Sequence, residues 1–301
     1  MSPPMIAGVE LGGTKCVCLL GTGPDDVRDE VRIATTTPAE TLAAIEAVLD
    51  RWRGFAAIGI ASFGPLGIDR GAADYGHITA TTKPGWSGTD VAGRLGGPHG
   101  VPVGFHTDVV GAALAEARWG AGLGLADLAY ITVGTGVGVG LVVGGAPLGG
   151  MTHAELGHIR PVRVAGDEWP GACSFHGACV EGLAAGPAIA ARTGLPASQI
   201  APDAPVWPIV ADALGQLCQV LVLTGMPRRI VIGGGVVIGQ PALLPMIRRA
   251  LARSLGSYGI GAELGPLDRY VVLPGLGNQA GPLGAILLGA AALDADISKA
   301  V

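Results

Sequence analysis

Apolar and polar positions alternate along the chain in a way that opens it with a strand, a turn and a second strand. These are Met5–Leu11, then Gly12-Gly13-Thr14-Lys15, then Cys16–Gly21. The arrangement returns at Leu128–Val133, Gly134-Thr135-Gly136 and Val137–Gly144. Each half therefore opens on a predicted β-hairpin whose turn is nearly free of bulky side chains. Between the hairpins the spacing predicts a helix over Thr41–Trp52, a buried strand over Ala56–Ala61, a strand over Val101–Phe105 and an amphipathic helix over Asp108–Trp119. Later segments alternate in the same manner. A helix spans Trp207–Leu223 with Pro208 in its first turn. A strand Arg229–Ile232 runs into Gly233-Gly234-Gly235, and helices follow over Gln240–Leu255 and Gly281–Ala292, the last of them buried. Strands alternating with helices, some paired in hairpins, predict α/β lobes with mixed sheets.

Composition narrows the function classes. At 301 residues the chain has room for two lobes. Apolar residues make up 49% and charged residues 14%, so a large core is available. The apolar stretch Leu283–Leu293 falls short of the roughly 20 residues that cross a bilayer, and MSPPMIAGVELGG lacks a basic segment followed by an apolar one. A cytoplasmic protein with no membrane partner is expected. The net charge of −5, without a long basic run, argues against a nucleic-acid partner. The pairs Arg228-Arg229 and Arg248-Arg249 read as solvated faces. Cysteine is odd in number at five, and two of the five share one short motif with a histidine. That favours a metal in a reducing compartment over disulfides.

Three groups of residues carry candidate chemistry. Bare amides in the turns Gly12-Gly13-Thr14 and Gly134-Thr135-Gly136 suit phosphate oxygens, although tight hairpins in a glycine-rich chain read equally well as structure. GxxxxGK[ST] is absent, a strand rather than a helix is expected after the second turn, and HRD and DFG are missing. These absences remove P-loop, dinucleotide and protein-kinase readings. The second group, His158 with Cys173, His176 and Cys179, has the ligand types and spacing of a closed tetrahedral zinc site. Glu155 and Glu181 flank it, either as acceptors for sugar hydroxyls or as surface carboxylates. The third candidate is Asp108, which follows a strand and begins a helix. It reads as a helix cap, as a general base, or as both.

Together these segments resemble the ROK family of sugar kinases and sugar-responsive repressors, a branch of the actin/hexokinase superfamily, from about Ile6 to Leu293. GVELGGTK and VGTGVGVGLVVGG are similar to the family's phosphate segments, and IVIGGGVV to its adenosine segment. HAELGH with CSFHGACVEGLAAGPAI is similar to its zinc-and-sugar signature, and LGNQAGPLGA closes the match. Cys-x-x-His-x-x-Cys, SFGPLG and ITATTKPGW point to the fructokinase branch rather than the glucokinases.

The resemblance implies a two-lobed actin-like ATPase (ribonuclease H-like) fold, an α/β architecture with mixed sheets flanked by helices. One lobe would be 1–118 with 284–301, the other 119–283. It implies phosphorylation of fructose to fructose 6-phosphate by ATP with Mg²⁺, a structural Zn²⁺ and a homodimer. Asp108 becomes the base. Gly64, Pro65, Thr107, Glu155, His158 and Glu181 fall to the sugar, with His158 doubling as a zinc ligand beside Cys173, His176 and Cys179. Gly12, Gly13, Thr14, Lys15, Thr135 and Gly136 fall to phosphates, and Gly233, Gly234 and Gly235 to the nucleotide. Glu10 would hold Mg²⁺ through water, where most relatives have Asp. Val110-Gly111 stands where relatives often have Asn-Ala, which bears on packing of that helix. A glucokinase or a broader mannose/fructose kinase is the nearest alternative, and an inactive sugar-binding regulator a more distant one. A repressor needs a DNA-binding module of roughly 60 residues before the first hairpin, and only a few residues stand there.

Overall fold

The computed structural model describes residues 3–256 and 259–299. The chain forms two compact units. One comprises the chain up to Gly120, Pro147–His153 and the chain from Asn278 onward. The other comprises Ala121–Ala146 and Ala154–Gly277.

The first unit is built on strands β1 (Ile6–Leu11), β2 (Lys15–Gly23), β3 (Asp26–Ala34), β4 (Ala57–Ser62) and β5 (Val103–Thr107), in the order β3-β2-β1-β4-β5. β1 pairs antiparallel with β2 and parallel with β4, and β4 pairs parallel with β5. A second sheet repeats this with β6 (Leu128–Val133), β7 (Val137–Val143), β8 (Ala146–Pro147), β9 (Ile230–Gly233) and β10 (Val271–Val272), in the order β8-β7-β6-β9-β10, all in the second unit but for Pro147 at the end of β8. Here β6 pairs antiparallel with β7 and parallel with β9, and β9 pairs parallel with β10. The echo of two glycine hairpins is thus one topology used twice, the α/β pattern of actin-like ATPases.

β3 escaped the sequence reading. DVRDEVRIA is mostly charged, and it sits at the sheet edge with most of its side chains exposed or half-buried, where charge discourages further strand pairing. The helix expected at Thr41–Trp52 begins earlier, at Pro38, and ends at Arg51. Thr37 caps it: the Glu40 amide donates to Thr37 Oγ1 at 3.3 Å, and that hydroxyl donates to Glu40 Oε2 at 2.9 Å.

What binds the first unit together is a row of glycines. Gly8, Gly59 and Gly104 stand opposite one another on β1, β4 and β5. A Cβ on Gly59 would overlap the carbonyl oxygen of Ala285, one on Gly104 that of Leu288, and one on Gly8 would press on Ile286. The row is a groove at backbone depth, and the helix Ala280–Lys299 lies in it. Gly284 of that helix meets Gly111 of the helix Asp108–Trp119 backbone to backbone. Gly111 therefore permits a close helix contact, and this settles the packing question its sequence raised.

In the second unit the helix Val206–Thr224 is apolar enough, and at 19 residues long enough, to resemble a membrane span. Trp207, Val210, Leu214, Leu217 and Leu221 are all buried in this unit's core, however. Gly215 lets it approach the backbone at Ala250 in the helix Leu243–Leu255.

Candidate active site

In the first unit the three parallel strands end level with one another. Leu11 pairs with Ser62, and Ser62 with Thr107. Glu10, the loop Gly64-Pro65-Leu66 and Asp108 consequently share the carboxyl edge of the sheet, the edge at which α/β proteins bind ligands. Asp108 is the first residue of its helix, but the cap is Thr107, whose Oγ1 accepts the Val110 amide at 3.3 Å. The capping role considered for Asp108 is corrected accordingly. Its Oδ1 accepts the Val109 amide at 2.8 Å, which fixes the carboxylate's direction. Thr107, expected to touch sugar, is buried and engaged as that cap.

Glu10 is the perturbed carboxyl of this edge. Burial, and after it the negative charge of Asp108, raises it to about 7, against the pull of Lys15 and Arg32. Gly281 is a glycine because a Cβ there would overlap the Glu10 carboxylate. A buried carboxyl beside a second carboxylate could take part in holding a divalent cation.

The first turn, Gly12–Thr14, is held from outside. Thr35 Oγ1 donates to the Gly12 carbonyl at 2.7 Å, the Thr35 amide donates to Thr14 at 3.0 Å, and Lys83 Nζ donates to the Gly13 carbonyl at 2.6 Å. Lys83 lies in ITATTKPGW, a segment read as diagnostic of a branch without any residue being singled out.

His153 was missed as well. It is buried, and its Nε2 accepts the Leu66 amide at 2.9 Å, while a Cβ on Gly64 would rest against its ring at 3.4 Å. It fixes the loop predicted to line the sugar pocket. Its neighbour His106 accepts the Thr107 amide at Nδ1, 2.8 Å away. Burial, with His153 second, lowers His106 to about 4, so the ring is neutral at ordinary pH. The only sequence signal for His153 was its place at the head of HAELGH.

In the second unit the turn Gly134–Gly136 closes on a hydrogen bond from the Gly134 amide to the Gly136 carbonyl at 2.9 Å. The turn is followed by strand β7, as the sequence required. β9 leads into Gly234, at φ 89°, where a Cβ would overlap the Val133 backbone. Gly235 then starts a short helix, Gly235–Gly239. The Gly186 amide donates to the Gly134 carbonyl at 2.8 Å. Turn, glycine run and the start of the helix Gly186–Thr193 thus gather at the carboxyl edge of this second sheet.

A Cβ on Gly13, Gly134 or Gly235 would meet nothing within 4 Å, and none of the three has a positive φ. Neither packing nor backbone conformation demands glycine at these positions. What glycine provides there is open space beside the main chain.

The four metal-ligand candidates come together, with ligand atoms within 4.8 Å of one another. His158 Nδ1 lies 3.7 Å from Cys173 Sγ and 3.6 Å from Cys179 Sγ, and His176 Nδ1 lies 3.8 Å from Cys173 Sγ. Zinc bonds of about 2.3 Å to sulfur and about 2.05 Å to nitrogen at a tetrahedral angle separate the two ligands by about 3.6 Å. Donor set and spacing both fit. The chain is shaped for it: Gly177, at φ 58°, turns the backbone so that Cys173 and Gly177 exchange hydrogen bonds of 3.2 and 2.9 Å. Burial chiefly, and then the nearby Cys173 and Glu181, push the Cys179 thiol up to about 11. A cation bound by the four residues would stabilise its thiolate. His158 Nε2 is 3.9 Å from the exposed Glu155 carboxylate.

Glu181, expected at the sugar, has a main-chain contact that the sequence did not suggest. Its Oε2 accepts the Val137 amide at 3.0 Å, and a Cβ on Gly136 would lie 2.7 Å from the same oxygen. One oxygen of this carboxylate is thus engaged by the second glycine turn.

Comparison with known proteins places these features. The family model described as the ROK family matches residues 6–292. A fructokinase from Pediococcus pentosaceus is 42% identical over 289 residues, 96% of this chain and 99% of the relative. A fructokinase from Zymomonas mobilis is 41% identical over 292 residues, 94% of this chain and 96% of the relative. Among solved structures, a ROK family glucokinase from Streptomyces griseus in complex with glucose and AMPPNP has a TM-score of 0.75 at 26% identity, covering 95% of this chain and 99% of that one. A ROK hexokinase from Thermus thermophilus has a TM-score of 0.74 at 26% identity, covering 97% and 99%. With paired glycine hairpins, a Cys/His knot and near-full-length likeness to its members, the chain belongs to the ROK family.

Proposed function

We propose that the protein is an ATP-dependent hexose kinase that phosphorylates fructose at the hydroxyl on carbon 6, with Asp108 as the proton acceptor. The observation that carries this reading is the trio of glycines at Gly13, Gly134 and Gly235, which neither fold nor packing requires. They stand in the two segments assigned to phosphate and the one assigned to adenosine. Near-full-length likeness to proteins named fructokinase supports the sugar.

Phosphoryl transfer asks the protein for positioning and charge more than for covalent chemistry. The carbon-6 oxygen forms a bond to the γ-phosphorus as the bond from that phosphorus to the bridging oxygen breaks. The hydroxyl proton passes to the Asp108 carboxylate, and ADP departs with the electron pair. Asp108 is oriented for this by the Val109 amide and released from capping by Thr107. Glu10 would take part in holding Mg²⁺, which supplies neutralisation of phosphate charge when bound. Gly12, Gly13, Thr14, Lys15, Thr135 and Gly136 are assigned to phosphate oxygens, and Gly233, Gly234 and Gly235 to the nucleoside. Gly64 and Pro65, fixed by His153, are assigned to the sugar together with Thr107, Glu155, His158 and Glu181. His158, Cys173, His176 and Cys179 would hold Zn²⁺ in a closed, structural site. A cytoplasmic homodimer belongs to the same proposal.

The test is ADP release against a panel of hexoses, with Asp108→Asn beside the parent protein. Fructose should give the highest kcat/KM. The variant should lose roughly 10²- to 10⁴-fold in kcat, the range of general base catalysis, while it still binds ATP and metal. Near-normal turnover by Asp108→Asn would remove the base from the mechanism. Preference for glucose or mannose would favour the neighbouring specificity, to which the glucokinase and hexokinase structures are the pointers.

A further inference from the structure

The seat of Glu181 links two features otherwise described separately. Glu181 is the second residue of the short helix Val180–Ala184, whose cap is Cys179: the thiol accepts the Gly182 amide at 3.3 Å. The segment is pinned behind by the Val180 amide donating to the Ile159 carbonyl at 3.0 Å, next to the candidate ligand His158. From this base the Glu181 carboxylate reaches the Val137 amide, at the point where the glycine turn becomes strand β7. A few residues on, the Gly186 amide takes the Gly134 carbonyl at the other side of the same turn. The turn is therefore gripped at both ends by one stretch of chain that starts at Cys179, a candidate metal ligand. Gly136 is what admits the grip, because a Cβ there would crowd the carboxylate.

We propose that Glu181 is a positioning residue for the nucleotide, holding the turn Gly134–Val137 in its phosphate-binding shape and tying that shape to the Cys/His knot. The proposal rests on reading the turn as a nucleotide-phosphate loop. A carboxylate that only received sugar hydroxyls would have no bearing on nucleotide affinity in the absence of sugar. A carboxylate that accepts a main-chain amide at a turn of bare glycines sets the direction in which the neighbouring amides point, and those amides are the anion's ligands.

The experiment is calorimetric titration with Mg·AMPPNP, sugar omitted, of the parent chain and of Glu181→Gln, Glu181→Ala and Gly136→Ala. Zinc content and melting temperature are recorded for each. The Gln side chain keeps an acceptor for the Val137 amide, so its Kd should stay within about twofold of the parent. Glu181→Ala should weaken nucleotide binding about tenfold, the scale of one charge-assisted hydrogen bond, with zinc retained. Gly136→Ala, which leaves Glu181 in place and displaces its carboxylate, should weaken it similarly and serves where Glu181→Ala does not fold. Parental affinity in both Ala variants, with only the sugar KM raised, would overturn the proposal while leaving the kinase reading intact. A parent protein that binds no nucleotide would overturn the reading of the turn and this inference with it.

Discussion

Glu10→Gln is the substitution whose outcome is most fully worked out from the structure. The carboxyl sits near the end of β1 against Gly281, and burial with the facing charge of Asp108 raises it from 4.5 to about 7. The unfolded chain releases the proton near 4.5 and the native chain only near 7. Between those values the native state binds more protons than the unfolded state, so stability falls as pH rises. The contribution is complete below 4.5, and the loss levels off above 7. At 1.36 kcal/mol per unit, the shift amounts to about 3 kcal/mol withheld from the native state at pH 8. Partial exposure of Glu10 reduces that, and a gain of about 1–3 kcal/mol is expected. Gln has the shape of the protonated acid and does not titrate. The variant should therefore match the parent in urea denaturation at pH 4.5 and exceed it by that amount at pH 8. It should at the same time lose affinity for Mg·AMPPNP, because the destabilised carboxylate is the one expected to face the cation. Denaturation midpoints that run parallel from pH 4.5 to 8 would show that Glu10 titrates normally, and the argument from burial would fail.

Two further outcomes test the frame around the site. Removing metal with a chelator should lower the melting temperature sharply, since a structural zinc contributes on the order of 10 kcal/mol to ordering its loop. It should also open Cys173 and Cys179 to thiol reagents, and metal analysis of the untreated protein should return one zinc per chain; an unchanged melt with little metal would refute the site. Gly59→Ala should cost at least about 1–3 kcal/mol, the range for overpacking, because the new methyl group has backbone rather than a yielding side chain in its way. An unaffected denaturation midpoint would mean that the helix Ala280–Lys299 does not lie in the glycine groove as described.

The parts of this molecule legible in the sequence are those whose signal is local. The two hairpins were readable because an apolar strand, a glycine turn and a second strand are contiguous. The Cys/His knot was readable because three of its ligands fall within seven residues. The helix Asp108–Trp119 was placed to the residue, since strand pattern and helix pattern change over at one point. What escaped depends on neighbours distant in the chain. β3 carries too much charge to read as a strand until it is seen to need only one sheet neighbour. Thr107 took the cap assigned to Asp108, a matter of which residue's backbone is still extended as the helix begins. His153 acts on Leu66, Lys83 on Gly13 and Glu181 on Val137, and no periodicity records such pairings. The glycine row is the plainest case. Gly8, Gly59 and Gly104 are unremarkable one at a time and become a groove only once β1, β4 and β5 lie in register.

That groove orders the events of biosynthesis. Strands β1, β4 and β5 have all been made by residue 107, but the helix that fills their glycine row starts at Ala280. As the chain leaves the ribosome the first sheet must wait with its groove open through the synthesis of some 170 residues. The core of the second unit, by contrast, closes with residues no later than Val271. All the core residues of the second unit are thus made before the helix that fills the first unit's groove, and the contact between Gly111 and Gly284 can form only after that helix is synthesised.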